Sequence, residues 1–406
     1  MREVVVTGTG VCCNLGDDLG EIAGVLRRGE QPGRIVVWQP AVDADARCHL
    51  LARYDGAVDN EALGISRKQS RFMGRAARLA LKAARAAIKC ADVDVEQFAV
   101  VAACGAGDVD THIEVGERIA AGSARKVSPT AIPRLMASTV SANLVNVLET
   151  RGPSFSAVAA CAGGSYNILL AAQLIANGHV DGAIAGGSDV GELLFFAAFD
   201  AMRAFNSADN DNPSRASRPY AADRAGFVLG EGAGMLILET REAAAARGAD
   251  ILAVIRGFGM SSDGNGEMVA PASQGAFEAM SRALTFAKLE PADIDYINTH
   301  GTSTPLGDIA EANAIRRLMK DRPVLYSSTK GYTGHTVTAA GAIEAAFTIE
   351  MLRGGWVAPC INASPLDPAL EGYEPVLEPT NAELKIAMSN SFGFGGTNVS
   401  LILAAG

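Results

Sequence analysis

Cys161 stands between the strand-forming run "FSAVAA" and a helix pattern, "GGSYNILLAAQLIANG", that carries no charge. Unpaired N–H groups and the helix dipole at such a start favour an anion, so they favour the thiolate, the reactive form of a cysteine nucleophile. A second buried-helix pattern, "KGYTGHTVTAAGAIEAAFTIEMLRGG", has Lys330 and His335 at its head. His300 ends the strand pattern "DYINT", where a side chain reaches the mouth of a sheet.

These residues need elements that bring them together, and the chain supplies them twice. "EVVVTGTGVCCNLG" and "ILAVIRGFGMSSDG" each read as a strand running into a glycine-rich turn. Helix patterns follow, "RFMGRAARLALKAARAAIKCADV" and "QGAFEAMSRALTFAKLEPADI", and then the strands "QFAVVAACGAGD" and "DYINTHGTSTPLGD". Each half next offers a strand, a small-residue turn and an apolar helix, and closes on "GMLILE" or "NVSLILAA". Alternating strands and helices predict an α/β fold with largely parallel sheets. A helix apolar on most faces is buried on most faces. Two sheets with one such helix from each half between them give five layers, α-β-α-β-α. The pseudo-symmetry carries His335 and Lys330 toward Cys161. The halves divide into residues 1–246, with the nucleophile, and 247–406, with both histidines, the lysine and a glycine-rich loop.

The bulk properties narrow the function. The 406 residues are 49% hydrophobic and 20% charged, which is a large core rather than disorder. A net charge of −10 argues against general nucleic-acid binding. The seven cysteines form no CxxC pair, which speaks against a disulfide framework or a zinc site and for the reducing cytoplasm. Cys12, Cys13, Cys48, Cys90, Cys104 and Cys360 read as small buried hydrophobes. No run is long and apolar enough to predict a membrane span.

"ACAGGS", "NTHGTSTPLGD", "SSTKGYTGH" and "SNSFGFGGTN" together resemble the four signatures of the β-ketoacyl-ACP synthases, and "ASRPYAADRAGFVLGEGAG" and "MVAPASQGA" extend the resemblance. It runs over nearly the whole chain and is nearest the ketosynthase I branch. It implies the thiolase-like fold, a homodimer, and decarboxylative Claisen condensation of acyl-ACP with malonyl-ACP in fatty-acid elongation. By the same resemblance Cys161 takes the acyl group, and His300 and His335, as neutral imidazoles, stabilise the enolate. Lys330 orders the site, and Glu311 contacts that lysine. Asp308 and Glu311 also have the spacing of a helix N-cap and its N3 partner. The Phe394 N–H joins that of Cys161 in an oxyanion hole, the Phe394 ring gates the acyl pocket, and Phe392 supports the site. Ala106 and Met136 line the acyl pocket. Arg67, Lys68, Arg71, Arg125 and Lys126 form a basic patch for acyl carrier protein, which an acidic chain needs in order to bind an acidic partner. No metal and no cofactor is implied beyond the phosphopantetheine that carries the substrates.

Four departures from the family pattern stand out. Thr338 replaces the first glycine of "GHxxGAAG". Ala159 replaces a hydroxyl residue. Gly163 and Gly164 follow Cys161 where a hydroxyl residue is frequent. Ala225 replaces the aspartate of "RDGF". They bring in a second expectation: a ketosynthase specialised for a polyene or polyketide, as the active subunit of a heterodimer with a chain-length-factor partner. A chain-length factor itself would lack the nucleophile. A thiolase would need a second cysteine in the C-terminal loop, and "FGFGG" has none.

Overall fold

The computed structural model describes residues 1–31, 33–269 and 272–406; Ala270 and Pro271 of "MVAPASQGA" lie outside them. In the first half β1 (Val4–Cys13), α1 (Arg75–Ala91), β2 (Ala99–Ala103), α2 (Thr139–Leu148), β3 (Ser154–Phe155), α3 (Gly163–Ala176), β4 (Gly182–Asp189) and β5 (Gly232–Thr240) follow one another. The second half repeats the order with β6 (Ala253–Ser262), α4 (Ser273–Ala287), β7 (Tyr296–Asn298), α5 (Gly307–Met319), β8 (Leu325–Ser327), α6 (Ala340–Gly354), β9 (Ile386–Gly393) and β10 (Thr397–Ala405).

The ten strands form one hydrogen-bonded sheet in the order β8-β7-β9-β10-β6-β1-β5-β4-β2-β3. Each half therefore uses its five strands in the same spatial order. The halves meet where β1 pairs with β6 over two residues, Val5 with Val254 and Val6 with Ala253. Two separate, largely parallel sheets are thus corrected to one mixed sheet. Strand β2 runs parallel to β3 and β4, and β7 to β8 and β9. The pairs β4–β5, β5–β1, β6–β10 and β10–β9 are antiparallel. In the second half β9 turns straight back into β10 and needs no crossover helix, whereas in the first half a long segment with the helix Leu193–Ala201 separates β4 from β5.

The five layers follow from which way alternate residues point. Ala99 and Val101 of β2 join a central core with α3 and α6, whereas Val100 and Ala102 pack with α1. Leu401 and Leu403 of β10 face the same centre, and Ile402 faces α4 and α5. Ile168, Leu169 and Ile175 of α3 and Phe347 and Ile349 of α6 are completely buried. Each such side chain contributes roughly 1.5–3 kcal/mol relative to exposure.

The paired glycines of "TGTG" and "RGFG" lie inside strands and not in turns. A Cβ at Gly8 or Gly10 would sit 2.2 or 2.1 Å from the carbonyl of Ala87 or Ala83, so α1 rests directly on the β1 backbone. Gly257 and Gly259 admit α4 in the same way, against Ala283 and Ala279. No helix among the described residues is long and apolar enough to cross a membrane.

Candidate active site

Cys161 lies in a 3-10 turn, Ala160–Ala162, that leads into α3. Ala160 enters the turn with φ 46°, a left-handed conformation that costs a non-glycine residue of order 1 kcal/mol or more. No side chain caps the first turn of α3, so its N–H groups keep their dipole. Gly163 and Gly164 let α3 meet the start of α6: a Cβ on Gly164 would lie 2.7 Å from the Thr338 carbonyl. The other central helix starts alike, with a 3-10 turn Val337–Ala339 entered at φ 47°.

His300 follows β7. Its N–H and that of Gly301 donate to the two oxygens of Glu311, at 2.9 and 2.8 Å, and Asn390 donates to the same carboxylate at 3.1 Å. His335 is pinned by backbone bonds on either side: its N–H donates to Val228 at 2.7 Å, and its carbonyl accepts from Gly230 at 2.9 Å. The two imidazoles meet edge to face with centroids 5.2 Å apart. Phe227 stands at 5.4 Å from His335, and Phe392 at 6.0 Å from His300.

A cavity of about 510 Å3 joins Cys161, His300, His335, Glu311, Phe392 and Phe394. Phe199, Met202, Phe227, Met268 and Leu306 give it apolar walls, and Arg203 and Asp263 are charged residues in its lining. The Phe394 ring packs on Phe199 at 6.1 Å. Ala225 also lines it, beside Arg224, which is buried between Asp308 and Asp367.

The electrostatics are set by burial. Both imidazoles are held well below their ordinary pKa, first by desolvation and then by the Lys330 charge. They are therefore neutral at pH 7. Burial also pushes the Cys161 thiol up to about 11, against the N–H of Phe394, the Lys330 charge and its own N–H, which all lower it. The expected thiolate at a helix start is thus corrected: at this buried turn desolvation outweighs the nearby N–H groups. The N–H groups of Phe394 and Cys161 both favour charge on Sγ.

Lys330 is buried and pairs with Glu344 of α6, not with Glu311. Glu311 is occupied by backbone N–H groups, so the expected contact is corrected to Glu344. The sequence offered a partial signal for it, since Glu344 is one of two acidic residues in a largely apolar helix. Burial raises both the Glu311 and the Glu344 carboxyl to about 7. Asp308 is not an N-cap either. Helix α5 is entered through Leu306, and the Asp308 carboxylate accepts from Tyr220 N–H at 2.9 Å and Ser303 N–H at 3.0 Å. Of the six cysteines read as buried, Cys90 is exposed at the end of α1, and the other five are buried.

Arg67, Lys68, Arg71, Arg125 and Lys126 are all exposed, and the described lining of the cavity does not include them. Nor does it include Ala106 and Met136, which are half-buried and sit together: the segment after Ala106 bonds back to the turn before Met136, Asp108 N–H to Arg134 at 2.9 Å. Arg203 and Asp263 were not legible as site residues.

Comparisons with known proteins agree with this architecture. Residues 1–244 match the family described as beta-ketoacyl synthase, N-terminal domain, and residues 252–364 the corresponding C-terminal domain. The 3-oxoacyl-[acyl-carrier-protein] synthase 1 of Haemophilus influenzae is 39% identical over 412 residues, covering 99% of this chain and 98% of that protein. The crystal structure of a beta-ketoacyl synthase from Burkholderia phymatum STM815 superposes with a TM-score of 0.94 at 34% identity, covering all of both chains. The ishigamide ketosynthase/chain length factor gives 0.89 at 29% identity, covering 100% of this chain and 99% of that one.

Proposed function

The chain belongs to the β-ketoacyl synthase family, and from that premise we propose that it is a 3-oxoacyl-[acyl-carrier-protein] synthase of fatty-acid elongation. The observation that carries this reading is a cavity lined both by the thiol at the head of one central helix and by two neutral imidazoles from the other half.

In this reading the Cys161 sulfur bonds to the acyl carbonyl carbon of acyl-ACP. The bond to the pantetheine sulfur breaks, and the thiol proton ends on that sulfur. The N–H groups of Cys161 and Phe394 hold the negative oxygen of the tetrahedral intermediate. Malonyl-ACP then binds and loses CO2. The electron pair of the broken C–C bond stays as an enolate, whose oxygen takes N–H hydrogen bonds from His300 and His335. A neutral imidazole suits this role because it donates without giving up its proton to bulk water. The enolate carbon attacks the Cys161 thioester, and the sulfur leaves as a thiolate that takes a proton from solvent. The product is a 3-oxoacyl-ACP two carbons longer.

Lys330, held by its ion pair with Glu344, sets a positive charge near both rings that disfavours their protonation. Glu311 fixes the His300 backbone, Asp308 fixes the turn after it, and Phe392 packs against the ring. Ala106 and Met136 form the far end of the acyl tunnel. Arg67, Lys68, Arg71, Arg125 and Lys126 dock the carrier protein, and the enzyme works as a cytoplasmic homodimer without a further cofactor. Residues 1–246 and 247–406 are its N-terminal and C-terminal halves.

The test is reconstitution: purified protein, acyl-ACP and malonyl-ACP yield 3-oxoacyl-ACP, CO2 and, on omission of malonyl-ACP, an acyl adduct on Cys161. Absence of product with every saturated primer would sink the elongation reading. A second reading, a specialised ketosynthase paired with a chain-length-factor partner, is favoured by the fit to the ishigamide ketosynthase/chain length factor. It predicts activity only with a partner subunit, and on unsaturated chains.

A further inference from the structure

The departures at positions 163 and 338 face each other. A Cβ on Gly163 would lie 2.7 Å from the Thr338 methyl, closer than real side chains pack, so the threonine occupies the space that a side chain after Cys161 would need. Thr338 is fully buried. Its N–H donates to Asp189 Oδ2 at 3.1 Å, and its hydroxyl donates to the Ala160 carbonyl at 3.4 Å. The Ala160 carbonyl also accepts from the Gly163 N–H. Ala160 is the left-handed residue that aims Cys161 and its N–H at the cavity. A strained turn persists only when its surroundings hold it.

We infer that Thr338 is a positioning residue for the nucleophile: its backbone N–H is anchored on Asp189, its hydroxyl donates to the Ala160 carbonyl, and its methyl replaces a side chain at position 163. The inference rests on Cys161 being the acylated residue. It assigns to a residue of the second half the task of setting the angle of a turn in the first. Glycine at 163 and threonine at 338 then form one compensated exchange, not two independent drifts.

The experiment measures single-turnover acyl transfer from acyl-ACP to the enzyme by intact-protein mass spectrometry, with malonyl-ACP decarboxylation as a parallel readout. Thr338→Val keeps the shape and removes the hydroxyl. Its acyl transfer should fall about tenfold, the size of one hydrogen bond. The KM for acyl-ACP and the decarboxylation rate should stay unchanged. Thr338→Ser should recover most of the rate. Gly163→Ser alone should transfer poorly, and Gly163→Ser with Thr338→Gly should transfer better than Gly163→Ser alone. Parental rates in Thr338→Val, equal losses in Thr338→Val and Thr338→Ser, or no recovery in the double variant would each overturn the inference. An acyl group located away from Cys161 in the parental protein would instead overturn the reading beneath it.

Discussion

Ala160–Cys161–Ala162 and Val337–Thr338–Ala339 are the same piece of backbone in the two halves. Each is a 3-10 turn ahead of a central helix, and each is entered at positive φ, 46° and 47°. The second entry is the more strained in kind, because valine is β-branched. What differs is the end of the strand lying against each turn. In the first half's turn that strand end is Gly393 of β9, whose missing side chain leaves room at the Cys161 N–H; a Cβ there would stand 3.1 Å from that nitrogen. In the second it is Asp189 of β4, whose carboxylate takes the Thr338 N–H. Cys161 lines a cavity, and Thr338 is sealed. The duplicated fold thus makes two nucleophile-shaped turns. The neighbouring strand end decides which one keeps its N–H for chemistry and which becomes a support.

The hardest way to break the comparison is Cys161→Ala. Condensation should disappear, because no acyl-enzyme forms, while malonyl-ACP decarboxylation continues on His300 and His335. Condensation at the parental rate, measured by 3-oxoacyl-ACP formation, would contradict the assignment. Next comes Gly393→Asp, which gives the first turn the partner of the second. A carboxylate on the Cys161 N–H removes one oxyanion donor, so acyl transfer should fall by about 10²–10³. Transfer within a few-fold of parental would show that the strand end does not decide the outcome. A smaller effect is expected outside both turns. Lys68→Glu should raise the KM for acyl-ACP several-fold and leave a short pantetheine thioester unaffected, since rim charges act mainly on encounter. Equal losses on both substrates would count against docking.

The gentlest test needs no variant. With its thiol pushed up to about 11 by burial, Cys161 stays protonated near neutrality. Its alkylation by iodoacetamide should therefore keep rising about tenfold per pH unit from about pH 7 to pH 9. Peptide mass spectrometry separates it from the exposed Cys90. A plateau near pH 7 would restore the activated thiolate that the helix start alone suggested.

The sequence made some of this legible and hid the rest for identifiable reasons. Element order, the buried character of α3 and α6, and the approach of His335 to Cys161 were readable, because hydrophobic period and the duplicated order are sequence signals; His300 joined them through the family's signatures. The single mixed sheet was not, since the β1–β6 junction is two residue pairs with no pattern of its own. The thiol's pKa was misjudged because a helix dipole is visible in a sequence and desolvation is not. Glu344 was visible as a charge in an apolar helix, but its partner Lys330 depends on how α6 folds back on the turn before it. The departures at 163 and 338 looked unrelated until the two central helices were seen to cross at them.

The most direct test of the central claim puts a thiol in both turns of one molecule. Thr338→Cys, incubated with acyl-ACP and digested, should carry the acyl group on Cys161 alone. Combined with Cys161→Ala it should carry none, because position 338 is sealed and its N–H is held by Asp189. An acyl adduct at position 338 in either protein would contradict the account, since the strand end beside each turn would then not be what separates nucleophile from support.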